Sequence, residues 1–477
     1  MNLTSRKSIY LSAIAACSSL TVPAYSQFFT EEAQAEPSTL IVKYAPGVFA
    51  NPMTRDREIQ NFVSSNEVRT LGHLGSLVDL PERTQLVRFS SNLDPQAAAD
   101  ALSRNQAIEW AEPNYYLYPI GNVVAPMRSL PNVLETIGNF DLFDDDSNAG
   151  GPRKAGPNPP VQNPPELPGT RITDPRMNET WGIKMVQAPE AWTISPGNRK
   201  VVVADIDTGV DYNHEDLINN MWTNPNPTKG DVRGYDFADN DSFPFDDHGH
   251  GTHTSGTIGA TGGNGIGVSG VSQDVSIMAV RFLGGGYGTT ANAILSIDYA
   301  TQNGARIMSN SWGGGGRSQA LEDAVLRAAK ADILFVAAAG NDSSDNDVKP
   351  SYPAAITHPN MLTVAATTNV DGLSSFSNFG KTTVHVGAPG SQVLSTVVGN
   401  QYKAYSGTSM ACPHVAGIAA LILSVNPKLH ATEVKQIIMD SVDQIPALKG
   451  ITVTGGRVNA KKALERARGL GSFSFDI

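Results

Sequence analysis

The chain has 477 residues, 40% of them hydrophobic and 17% charged, with a net charge of −11. That length carries more than one domain, and the acidic balance argues against a nucleic-acid partner while suiting hard divalent cations. The two cysteines, Cys17 and Cys412, exclude a disulfide framework once a leader is removed.

The N-terminus reads as an export signal. Arg6 and Lys7 precede an apolar run from Ser8 to Ala16 that extends toward Val22, and Ala24-Tyr25-Ser26 is an A-x-S cleavage pattern. This assigns 1–26 to a signal peptide and the product to the extracellular side. Ile14-Ala15-Ala16-Cys17 offers the alternative of a lipoprotein site, with the chain anchored through Cys17. No later run is long enough to span a bilayer.

Residues 38–118 read as a small α+β module. Leu40–Tyr44 and Thr84–Phe89 have strand patterns, and Arg55–Ser64 and Pro95–Asn105 have helical ones. The module closes on Glu109-Trp110-Ala111-Glu112-Pro113-Asn114-Tyr115. Residues 119–170 are acidic at Asp141–Asp146 and then rich in proline and glycine. Such a stretch buries too little apolar surface to order itself, which predicts a protease-accessible linker.

From 171 to 477 strand and helix alternate. Strands are expected at 200–206, 275–281, 306–309, 333–338 and 361–366, and helices at 289–303, 318–331 and 409–424. Continuous apolar strands between helices imply an α/β fold, a mostly parallel central sheet with helices on both faces. Sites in such sheets lie beyond the carboxyl ends of the strands, where Asp207, Ser311 and Asn341 fall.

Gly407-Thr408-Ser409-Met410-Ala411-Cys412-Pro413-His414 opens a small-residue helix, whose N-terminus favours an anion. Ser409 is a weak nucleophile until a base takes its proton. His248-Gly249-His250-Gly251-Thr252-His253 supplies imidazoles, with His250 the choice and His248 and His253 its rivals. A metal cluster is the other reading of these histidines. The strand Val201–Ile206 ends on Asp207-Thr208-Gly209, and Asp207, with Asp205 as rival, would orient the imidazole. Cys412 reads as a small buried apolar residue. Gly265-Ile266-Gly267-Val268-Ser269-Gly270 fits a dinucleotide fingerprint, but it follows a helix and precedes a strand, so it is a loop.

In their chain order, Asp then His then Ser, the three segments resemble those of subtilisin-type serine peptidases, the subtilases of the thermitase and subtilisin type. The resemblance implies a triad of Asp207, His250 and Ser409. It implies an oxyanion hole made by Asn341 and the Ser409 N–H; in subtilisin, losing such a donor costs ~10²–10³ in turnover. Ser309–Gly314 resembles the family's substrate-binding edge, with Ser311, Trp312 and Gly313 in contact with substrate. Trp312 lines a subsite or fills the core. Asp342, Asp345 and Asp347 line an acidic first pocket or form a solvated loop.

Residues 38–118 resemble the family's inhibitory prodomain, with Tyr115–Tyr118 laid along the substrate edge. Two calcium sites are implied. One joins Asp174 and Asp216 to Thr261, Asn264, Ile266 and Val268. The other is the loop of Asp236, Asp239 and Asp241. No organic cofactor is implied. The expected function is that of a secreted, self-processing serine endopeptidase, a monomer acting on proteins or peptides and held by its own prodomain. The alternatives are a narrow maturation protease and an inactive calcium-binding surface protein. An α/β-hydrolase esterase would need Gly-x-Ser-x-Gly and a serine-first order, and the chain has neither.

Overall fold

Asp207 ends one strand of a nine-stranded sheet, and Ser311 and Asn341 follow the next two strands beside it. A computed structural model describes residues 33–47, 74–89, 93–121 and 174–471. The expected leader, the helix at 55–64 and the linker beyond Gly121 lie outside them. The described residues from Gln34 onward belong to one compact unit.

In spatial order the large sheet runs Asp443–Gln444, Gly456–Arg457, Val386–Pro389, Met361–Thr367, Leu334–Ala338, Ile307–Asn310, Gly197–Asp207, Asp274–Arg281, Gly234–Asp236. Every pairing is parallel except that between Asp443–Gln444 and Gly456–Arg457. Asp274–Arg281 lies on one side of Gly197–Asp207, and the next long strand, Ile307–Asn310, lies on the other. The strand order reverses there, so the crevice opens at the carboxyl ends of those strands. All five expected strands form. The three expected helices form as Thr290–Gln302, Gln319–Lys330 and Thr408–Val425.

Strand alternation divides the core. Val201 and Val203 point into a cluster with Ala411, Val415 and Ile418 of the serine helix Thr408–Val425. Ala204 and Ile206 point into a second cluster with Ile294 and Leu321 from the helices of the other face. The serine helix is the one described helix long and apolar enough to cross a membrane, and 89% of it is buried in this core. Pro413 sits inside it and lacks the N–H that would bond the Ser409 carbonyl. The hydroxyl of Ser311 donates to that carbonyl instead, at 2.9 Å.

The N-terminal module is a sheet of four antiparallel strands, Ile108–Pro119, Ala35–Tyr44, Thr84–Phe89 and Leu74–Leu80, with the helix Pro95–Leu102. Leu40, Val42 and Tyr44 pack on that helix with Ala98, Ala99 and Leu102. Ile41, Leu80 and Leu86 face the other way, into the cluster with Ile294 and Leu321. The sheet therefore lies between its own helix and the two helices of the large domain. Glu112 caps one of these: Ser318 Oγ and the amides of Gln319 and Ala320 donate to its carboxylate at 2.6, 2.8 and 3.2 Å. Asn114 caps the other, accepting from Ala291 N at 3.0 Å. Lys43 adds an ion pair to Asp323 at 2.9 Å.

The last strand of the module runs past the expected boundary at 118. Tyr116 and Leu117 pair antiparallel with Thr289 and Gly288, and Tyr118 and Pro119 with Gly313 and Trp312. Pro119 and Ile120, expected to begin a linker, are held by backbone pairing to Trp312 and Ser311.

Candidate active site

The strand Gly197–Asp207 ends by presenting Asp207, which is fully buried, to the histidine helix His250–Gly259. Asp207 Oδ1 accepts from Thr208 N and meets His250 Nδ1, each at 2.7 Å. Burial would lower the affinity of the His250 ring for a proton, but the charge and hydrogen bond of Asp207 raise it above the ordinary histidine value. That contact fixes Nδ1 as the N–H side and leaves Nε2 as the acceptor. His250 Nε2 is buried and has no hydrogen-bond partner among the described residues.

The rival histidines do other work. Burial pushes His248 down to about 4 and His253 down to about 3. His253 Nε2 meets the carbonyls of Val393 and Lys403 at 2.9 and 3.1 Å, and its ring stacks on Tyr405 at 4.5 Å. The three rings do not converge on a metal position: no group of three or more metal-ligating side chains is found among the described residues.

Asp246 has no motif to announce it, yet it orders the histidine helix. Its carboxylate accepts from the amides of His248, Gly249 and Thr252 and from the hydroxyls of Thr208 and Thr252. A carboxylate at a helix N-terminus meets both unpaired N–H groups and the favourable end of the macrodipole.

Ser409 lies in the first turn of its helix, where backbone N–H groups have no intrahelical acceptor. Its hydroxyl donates to Ser311 O at 2.9 Å and makes a short hydrogen bond to the carbonyl of Ile120. Asn341 follows the strand Leu334–Ala338. Its Oδ1 accepts from Thr408 N and Thr408 Oγ1, both at 2.9 Å, which fixes the amide with Nδ2 on the opposite side. A Cβ built on Gly407 would lie 2.8 Å from Ile120 O and 3.1 Å from Asn341 Nδ2, so carbonyl and amide converge at that glycine. A Cβ built on Gly121 would lie 3.2 Å from His250 Nε2. The Ile120–Gly121 peptide bond thus has the serine, the imidazole and the amide around it.

The edge expected to take substrate is occupied. Ile120 N donates to Ser311 O at 3.0 Å. Leu117 is 1% exposed and shares an apolar cluster with Trp312, Phe282 and Ala291. Trp312 has its backbone on the edge and its side chain wholly buried, edge-on to Phe282 at 5.0 Å. Burying one leucine contributes about 1.5–3 kcal/mol. Gly313 abuts Ile120: a Cβ there would lie 2.8 Å from Ile120 Cδ1. Asp345 accepts from Asp347 N, and Asp347 from Thr382 and Thr383. With Asp342 exposed, these acids form a solvent-side loop. Cys412 is buried and its thiol is pushed up to about 12, as befits a packing residue.

Asp174, Asp216 and the loop 261–268 come together. The amides of Gly263, Asn264 and Gly265 donate to Asp174; Val268 N and Asn264 Nδ2 donate to Asp216. Ile266 N donates to Asn264 Oδ1. Burial, aided by the charge of Asp174, pushes Asp216 up to about 7. Thr261 Oγ1 is buried and has no hydrogen-bond partner among the described residues. Two buried carboxylates and one orphaned hydroxyl oxygen fit a hard cation such as calcium.

The other expected calcium loop is built differently. Arg281 pairs with Asp236, with Asp239 at 2.7 Å and with Asp247 at 3.3 Å. Asp241 turns to the amide of Phe243 at 2.8 Å. Arg281 thus stands among the acids expected to form this loop.

A profile of the subtilase family matches residues 198–471, more than half of the chain. Thermitase of Thermoactinomyces vulgaris is 40% identical over 286 residues, 60% of this chain and 95% of thermitase. Subtilisin-like protease 2 of Plasmodium falciparum (isolate 3D7) is 37% identical over 298 residues, again 60% of this chain but only 22% of that longer protein. Among solved structures, a protease from Pseudoalteromonas arctica PAMC 21717 aligns with a TM-score of 0.56 and 29% identity, covering 62% of this chain and all of its own. The chain belongs to the subtilase family of serine endopeptidases.

Proposed function

We propose that the chain is the zymogen of a secreted serine endopeptidase that matures by cutting its own Ile120–Gly121 bond. The observation that carries this reading is the hydrogen bond between Ser409 Oγ and the Ile120 carbonyl, with Gly121 against His250. Ser409 Oγ attacks the carbonyl carbon while His250 Nε2 takes its proton, and Asp207 steadies the imidazolium. Asn341 Nδ2 and the Ser409 N–H stabilise the oxyanion. His250 passes the proton to the Gly121 nitrogen as the bond breaks, leaving an acyl-enzyme on Ser409. Water, deprotonated by His250, then releases the Ile120 carboxylate and restores the serine.

Residues 38–118, with the tail to Ile120, act as the intramolecular inhibitor. Their C-terminal strand fills the position of an extended substrate. The substrates of the mature enzyme are proteins and peptides that bind in the same extended form. Asp174, Asp216, Thr261, Asn264, Ile266 and Val268 would hold a structural calcium ion, which stabilises the folded domain and takes no part in the chemistry.

Labelling with a serine-directed organophosphate tests the reading. The processed protein should take up one equivalent at Ser409, and His250→Ala should abolish the labelling. A processed, folded protein that is not labelled would be a binding protein and not an enzyme.

A further inference from the structure

Asp205 stands two residues before Asp207 on the same strand, so the pleat turns both carboxyl groups to the same face. Along an extended strand their Cα atoms are about 6.6 Å apart. Both side chains are completely buried. Thr254 Oγ1 and Ser255 Oγ, on the histidine helix, donate to Asp205 Oδ2 at 2.7 and 2.6 Å. Those two residues lie one turn beyond His250. Asp205 Oδ1 and Asp207 Oδ2 are both buried without a hydrogen-bond partner among the described residues.

The groups around Asp205 can be named element by element. Its own strand gives Asp207; the histidine helix gives His250, Thr254 and Ser255; the serine helix gives Cys412, whose thiol feels the Asp205 charge. The flanking strands pair it with Ser309 and Ala279, which carry no charge. Of these, only His250 can be a cation, and it is already bonded to Asp207.

We propose that Asp205 is a positioning residue for the His250–Asp207 pair: a buried carboxylic acid that holds its proton at neutral pH and ties the histidine helix to the strand. Two carboxylates facing a single imidazole in a buried site do not both ionise easily. Burial, with the charge of Asp207, pushes Asp205 well above the ordinary carboxyl range, in keeping with that geometry. The proton on Asp205 leaves one negative charge, that of Asp207, to match the imidazolium formed in catalysis. Above the point where Asp205 ionises, a second negative charge faces His250 and stabilises the imidazolium further. The enzyme therefore gains activity in an alkaline step separate from the titration of His250.

This inference rests on the catalytic reading of His250 and Ser409 given above. The test is kcat/KM against pH from 6 to 10 for the mature enzyme and for Asp205→Asn, in which the amide oxygen still accepts from Thr254 and Ser255. The parent should show two rising limbs, the second above neutral pH and several-fold in size. Asp205→Asn should show only the first. Superimposable profiles overturn the inference and leave the triad untouched, whereas an inactive parent overturns the triad itself. A merely structural Asp205 would lower stability and leave both limbs in place. Should Asp205→Asn fail to fold, carboxyl-carbon NMR of the aspartate-labelled Ser409→Ala chain decides. An aspartate that keeps its proton above neutral pH is expected, and the absence of any such aspartate overturns the inference.

Discussion

Ile120 touches the machinery through both ends of its peptide unit: its carbonyl accepts from the hydroxyl of Ser409, and its N–H donates to the carbonyl of Ser311. The N-terminal module therefore meets the large domain through a segment whose backbone pairs along Ser311–Gly313. Glu112 and Asn114, a few residues earlier on the same strand, cap two helices of that domain and fix the register of the tail.

Gly313 should set the size limit beside the scissile bond. An added methyl there meets Ile120 Cδ1 at 2.8 Å and Tyr352 O at 3.0 Å. Overpacking of this kind costs about 1–3 kcal/mol. Gly313→Ala is expected to lower kcat/KM about tenfold for peptides with isoleucine before the cut, and much less for alanine. Equal losses for both peptides would mean that Ile120 does not report the pocket.

Asn341 holds Thr408 with its oxygen and faces Ile120 with its nitrogen, so two roles must be separated. Asn341→Leu removes both. Asn341→Asp keeps the acceptor and removes the donor. Each is expected to lower kcat by about 10²–10³, as losing this donor does in subtilisin, with KM little changed. If Asn341→Asp retains full turnover, the amide stabilises no oxyanion.

Docking of the N-terminal module should weaken as pH rises. Burial pushes Glu112 up to about 7 from an ordinary 4.5, against the pull of its three donors. A raised carboxyl pKa means that the docked state keeps a proton that the undocked state releases. The stabilisation is complete below about 4.5 and is lost as pH passes 7. Glu112→Gln has no such loss. In a Ser409→Ala background, the Tm of Glu112→Gln relative to its parent should increase between pH 5 and 8. A constant or decreasing difference contradicts this.

Chelation should separate the two acidic loops. Exhaustive removal of divalent ions is expected to lower Tm by several degrees in the Ser409→Ala chain. Asp216→Asn should abolish most of that response. Asp239→Asn should leave it intact, because Arg281 already partners Asp239. A response lost with Asp239 instead would relocate the ion.

What the sequence discloses follows from how local each signal is. Apolar runs such as Val201–Ile206 and Ile333–Ala338 mark parallel strands because both faces are buried, and they form within three residues of their expected ends. Asp207, His250 and Ser409 stand out because each sits in a short motif at the end of an element. Glu112 and Asn114 do not, since each caps a helix more than 170 residues away. Asp246 is silent because capping by a carboxylate needs only one acid near a helix start. The tail at Pro119 and Ile120 is hidden by its neighbours: the proline-rich stretch suggests disorder, while backbone pairing to Trp312 and Ser311 depends on partners remote in sequence. The spacing of Asp236, Asp239 and Asp241 is visible in the sequence, whereas their neighbour Arg281, some 40 residues on, is not.

The central claim is that Ser409 cuts the chain after Ile120. N-terminal sequencing and intact mass of the mature product, made in a host free of other proteases, test it most directly. The account predicts a product that begins at Gly121, or downstream of it after trimming, accompanied by an N-terminal fragment that ends at Ile120. The Ser409→Ala chain should keep the Ile120–Gly121 bond intact. A Ser409→Ala chain cut at that bond, or a wild-type fragment that ends elsewhere, would contradict it.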